Sequence, residues 1–85
     1  MSRLDKAKGR IKSKPKDYTY NEAKALLLQL GFVEYTKGKT SGSRVKFYRE
    51  KDHKIILLHK PHPGNIMKIA SVESLVEFLY DLGEI

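Results

Sequence analysis

The side chains able to carry a proton near neutral pH are three histidines, and two of them, His59 and His62, stand three residues apart in the stretch LLHKPHPGN. Imidazole suits proton transfer because its pKa lies near the operating pH. Pro61 and Pro63 stiffen the loop that carries His62 and lower its entropy, which suits a site. Upstream, Gly42-Ser43-Arg44 opens the run RVKFYR. Arg44 stays protonated at any physiological pH and can hold a phosphate through a planar fork of donors. The stretch could thus form one phosphate-binding corner, with Arg44 as clamp and His59 or His62 as proton carrier. Plainer roles stand beside this one. Both histidines could fix the turns of the proline loop. As a His-x-x-His pair they could hold a metal, but the chain has no cysteine and few acids nearby to complete a ligand set, so neither metal nor cofactor is expected. His53, in EKDHK, reads as a solvated turn residue.

Charge gathers around the same stretch. From Lys37 to Lys60 there are eight lysines and arginines against Glu50 and Asp52. Lys37, Lys39, Ser43, Arg44, Lys46 and Lys60 are the expected contacts to a phosphate backbone, with Ser41 and Ser43 as further donors. Tyr48 alternates with Arg44 and Lys46 and could stack on a base or pair with an aromatic across the sheet. The net charge of +7 is otherwise carried by the first sixteen residues, with seven Lys/Arg against Asp5. The C-terminal end is acidic, with Glu73, Glu77, Asp81 and Glu84 and no Lys or Arg beyond Lys68. A polyanion should be drawn to the middle of the chain and to its beginning, and repelled by its end.

Elements of a small α+β domain must position these residues. Eighty-five residues make one hydrophobic core at most. The sequence contains no disulfide and no thiol chemistry, no apolar run long enough to span a bilayer, and no signal-peptide pattern in its basic opening, so the expected location is the cytoplasm. Residues 1–16 read as a basic N-terminal arm: Leu4, Ala7 and Ile11 share a helical stripe, but Gly9 and Pro15 weaken it. A solvated tail or a loosely docked helix is expected there. The domain itself spans 17–85. TYNE is a capping box, Thr19 capping and Glu22 reaching back. Ala23, Leu26, Leu27 and Leu30 then fall on one face until Gly31 stops the helix. Three strands are predicted at Phe32–Lys37, Arg44–Arg49 and Lys54–His59. The third is the most apolar and is expected to be central or well covered. Ser71 is expected to cap a last helix, with Glu73 and Glu77 near its positive end and Val72, Leu75, Val76, Leu79 and Leu82 on its buried face. In a meander of this order the second strand begins where the third ends, so Arg44 and His59 should be neighbours. Two helices on one face of three antiparallel strands leave the other sheet face open.

That order, with LLLQLGF closing the first helix, GSRVKFY opening the second strand, IILLH ending the third and SLVEFLYDLGEI as the last helix, resembles the HicA toxins of toxin–antitoxin systems. The resemblance covers Thr19–Ile85. It implies a fold like the double-stranded-RNA-binding domain and a metal-independent endoribonuclease acting on mRNA. It also implies neutralisation by a HicB-type antitoxin protein. The family's usual motif is Gly-Ser-His, with the histidine as its catalytic residue; here the third position is Arg44. Arginine cannot take a proton from a 2′-OH, so the base would have to be His59 or His62, with Arg44 as phosphate clamp. The alternative is a non-catalytic RNA-binding module on the same fold.

Overall fold

In the computed structural model, residues 3–35, 44–61 and 64–85 are described. Three helices, α1 (Arg3–Lys12), α2 (Tyr20–Gln29) and α3 (Ile69–Asp81), and three strands, β1 (Val33–Tyr35), β2 (Arg44–Arg49) and β3 (Lys54–His59), follow in the order α1-α2-β1-β2-β3-α3. The helix–three-strand–helix unit expected from sequence is therefore α2 to α3, an α+β arrangement consistent with a double-stranded-RNA-binding-domain-like fold.

α2 starts as its sequence dictates. The Glu22 backbone N–H donates to Thr19 Oγ1 at 3.1 Å, and the Thr19 N–H donates to Glu22 Oε1 at 3.1 Å. Two of the helix's orphan donors are thus satisfied reciprocally. The helix stops at Gly31, whose φ of +96° is open to glycine at little cost. A side chain there would also crowd the Arg49 stem, 3.4 Å from where a Cβ would lie. Beyond the stop, Phe32 folds back, buried, with its ring centroid 5.9 Å from that of Phe78.

The sheet is an antiparallel meander in the order β1-β2-β3. Residues paired across strands share a face, so the register assigns the faces. Glu34, Val45, Phe47, Arg49, Ile56 and Leu58 point to one side, and Val33, Tyr35, Arg44, Lys46, Tyr48, Ile55, Leu57 and His59 to the other. The first side meets the core. Phe47 and Leu58 are buried there with Ala23, Leu26 and Leu27 of α2 and Val72, Leu75 and Leu79 of α3. The second side is open.

Three expectations change. β3 is neither central nor well covered: it is an edge strand, and Ile55 and Leu57 stand 47% and 54% exposed on the open face. Its apolar run reflects one buried face plus an exposed aliphatic patch shared with Val33. Ser71 does not cap α3. The helix begins at Ile69 after Lys68, whose side chain makes no capping hydrogen bond, and its first turn holds no acid. The chain is fed into α3 by backbone pairing instead: the Tyr20 N–H donates to Asn65 O at 2.7 Å and the Met67 N–H to Tyr18 O at 2.8 Å. These bonds anchor the end of the proline loop to the start of α2 and bury Met67. Lastly, residues 3–12 form neither a solvated tail nor a loosely docked helix. α1 packs on α2 and α3, Ile11 is fully buried, and Leu4 and Ala7 lie against the same core. Gly9, which weakened the stripe on propensity, lies on the exposed side. Tertiary packing outweighs a propensity loss of about 1 kcal/mol.

Candidate nucleic-acid interface

The register pairs Arg44 directly with His59, Val45 with Leu58 and Lys46 with Leu57. Arg44 and His59 are thus cross-strand partners at one end of the open face, both exposed. Side chains so paired have Cβ atoms about 5 Å apart, close enough for one phosphate to meet both. Lys60 follows His59, also exposed. Lys46, next along the face, lies 5.0 Å from the centroid of the Tyr35 ring, a cation–π contact that holds its stem against the sheet. Among the described residues, no carboxylate lies on this face. Glu34 points to the other side and pairs with Lys24 at 3.3 Å. The cations therefore keep their charge free for an anionic partner.

Other sequence candidates fall elsewhere. Lys37, Lys39, Ser43 and His62 lie outside the described residues, as does Ser41. Tyr48 is on the open face but about 13 Å along the strand from Arg44, and its hydroxyl lies 3.2 Å from His53 Nδ1. His53 is thus more than a solvated turn residue. It sits in the left-handed region at φ 54° and closes the β2–β3 turn against Tyr48.

Arg49, one of the cations in the central cluster, is removed from the surface. Its side chain turns to the core face, only 4% exposed. It donates to Asp52 Oδ1 and Oδ2 at 3.0 and 2.6 Å, to Glu84 Oε2 at 2.8 Å and to Leu30 O at 3.1 Å. The guanidinium also stacks 4.8 Å from the Phe32 centroid. Its hydrogen bonds hold the Asp52 carboxyl below the usual range, and Arg49 itself is held more firmly protonated, by Asp52 first and Glu84 next. This cation joins α2, the β2–β3 turn and the C-terminal end, and is structural.

One feature near His59 has no counterpart among the sequence candidates. A cleft of about 360 Å³ opens between β3 and α3, with His59, Ser71, Ser74 and Phe78 among its lining residues. Ser71, Ser74 and Phe78 recur at helical spacing, and that stripe was the available signal. Among the described residues no three histidine, aspartate or glutamate side chains gather as a metal site would require.

A family model described as HicA toxin of bacterial toxin–antitoxin matches residues 20–81, from the first residue of α2 to the last of α3. Neither the curated proteins nor the solved structures contain a match to the chain.

Proposed function

The chain belongs to the HicA toxin family, and on that premise we propose that it is an RNA-binding toxin that cleaves single-stranded mRNA at the Arg44–His59 corner without a metal. The observation supporting this is the cross-strand pair itself: a permanent cation beside an imidazole, on a face where no described carboxylate competes. Arg44 holds the scissile phosphate and stabilises the charge that builds on it. His59 takes the proton from the 2′-OH. The 2′-oxygen attacks phosphorus and the bond to the 5′-oxygen breaks, leaving a 2′,3′-cyclic phosphate and a 5′-hydroxyl. The leaving oxygen is protonated by water or by His62, the second candidate. Lys46 and Lys60 bind neighbouring phosphates, and Lys37, Lys39, Ser43 and Tyr48 are assigned to the same RNA track.

A toxin of this family implies an antitoxin. We assign that role to a HicB-type protein whose carboxylates cover the basic corner, both proteins acting in the cytoplasm where mRNA lies. No described helix is long and apolar enough to cross a membrane.

Arg44, in the position where the family's usual motif has histidine, favours a second reading, an RNA-binding module that does not cleave. One experiment separates the two: incubation of the purified protein with single-stranded RNA in the presence of a chelator, alongside growth of cells expressing it. Cyclic-phosphate products and growth arrest are expected. Binding without either outcome would leave only the module.

A further inference from the structure

β3 is an edge strand among the described residues, and α3 does not close over all of it. The cleft between them is lined by Ile56, Leu58, His59, Ser71, Ser74 and Phe78. At about 360 Å³ it lies at the small end of ligand sites, which run roughly 300–1,000 Å³. Ile56 and Leu58 supply an aliphatic wall and Phe78 an aromatic one. Because α3 starts at Ile69, Ser71 has no capping role. Neither the Ser71 nor the Ser74 hydroxyl bonds to another described group. Each can donate and accept.

We propose that this cleft receives one nucleobase of the bound RNA, next to the phosphate held by Arg44 and His59, with Ser71 and Ser74 reading its edge. The proposal rests on the RNA-binding reading above and extends it from backbone contact to base recognition. Two observations carry it. His59 belongs to both places: it is Arg44's cross-strand partner and a lining residue of the cleft. His59 stands on the edge strand with its side chain on the open face, so a base attached to a phosphate at that corner reaches the cleft by crossing the β3 edge. The walls suit a flat heteroaromatic ring, apolar on its faces and polar at its edge. Single-stranded RNA is read in this way, by unstacked bases held against apolar or aromatic side chains and hydrogen-bonded at their edges. The free edge of β3 would equally admit an extended peptide, but such a strand leaves the paired hydroxyls of α3 without a purpose.

The test is a chemical-shift titration of the full chain with a short single-stranded RNA, with the four nucleoside 5′-monophosphates and with ribose 5-phosphate. The nucleotides should shift Leu58, Ser71, Ser74 and Phe78 as well as the basic corner, whereas ribose 5-phosphate should shift the Arg44–His59–Lys60 corner alone. The four bases should bind unequally. Ser71→Ala and Ser74→Ala should each reduce that preference by about 2- to 10-fold, the worth of one hydrogen bond, and leave ribose 5-phosphate binding unchanged. Alanine is the better helix former at both positions, so loss of folding is not the expected confounder. If RNA shifts the basic corner while the cleft stays silent, or if base preference survives both serine changes, base recognition is refuted and RNA binding stands. If RNA shifts neither region, the RNA reading fails and the base site with it.

Discussion

Arg10 of α1 donates to Glu22 of α2, the same carboxylate that closes the capping box at Thr19. Through this one side chain, the start of α2 and the docking of α1 are joined. Arg10 also reaches Asp17 Oδ1 at 3.3 Å and stacks 5.7 Å from the Tyr18 ring centroid. The basic opening segment is thus held by specific partners as well as by Ile11 in the core.

Ile11→Ala should therefore destabilise the protein by about 2–4 kcal/mol, the range for truncating a fully buried aliphatic side chain. Removal of residues 1–12 should lower stability further, since it also exposes the faces of α2 and α3 that α1 covers. Urea unfolding gives both values. A midpoint unchanged in Ile11→Ala would show that α1 is not part of the cooperative core.

The capping box, the Gly31 stop and the Arg44–His59 neighbour relation could be read from sequence because each depends on residues close in the chain or on the arithmetic of a meander. α1 could not. Its stripe is weak by propensity, and the features that hold it, Glu22 and the α2–α3 surface, are partners a local pattern does not contain. Arg49 was hidden for a similar reason. It alternates with Phe47 and so belongs to the core face, but its partners Glu84 and Leu30 are distant in sequence. The apolar run of β3 misled because period and composition do not distinguish a covered strand from an edge strand with an exposed aliphatic patch. Ser71 misled because a serine before an apolar run is a common cap, and only the backbone pairing at Asn65 and Met67 shows that the helix starts earlier.

Arg49→Ala should cost roughly 3 kcal/mol, because it leaves Asp52 and Glu84 without their cation and the Leu30 carbonyl without its donor. Arg49→Lys should recover only part of this, since an ammonium cannot reproduce the fork. Thermal unfolding of the two variants provides the comparison. Equal stability of Arg49→Ala and wild type would contradict the structural role.

Stability should fall at both extremes of pH, for separate reasons. Glu22 is held below the usual carboxylate range, first by its hydrogen bond from Arg10 and further by Thr19, against the opposing effect of burial. A lowered folded pKa contributes stability that is complete above the unfolded value, about 4.3, and disappears as pH falls through the folded one. Tyr18 and Tyr20 are pushed up to about 12 from 10.0, chiefly by burial. Their contribution is complete below 10.0 and is lost as pH rises through about 12. Phenolate absorbance should show these two tyrosines ionising late. Ionisation of both near 10.0 in the folded protein would contradict their burial.

RNA affinity should fall steeply with salt if the open face tracks a phosphate backbone. Each lost phosphate contact reduces the log–log slope by about 0.7–0.9. Arg44→Ala and Lys46→Ala should each lower the slope by about that amount, with the fold intact because both side chains lie on the open face. Slopes and affinities unchanged in both variants would remove this surface from RNA binding.

The central claim is that His59 carries the proton that Arg44 cannot. It is tested most directly by the cleavage rate of a single-stranded RNA with chelator present, wild type against His59→Gln, with RNA affinity measured in parallel. Glutamine keeps a polar side chain of similar reach and loses the proton chemistry. The account predicts a rate loss of about 10²- to 10⁴-fold with nearly unchanged affinity, and a smaller loss for His62→Gln. A His59→Gln protein that cleaves at the wild-type rate would contradict it.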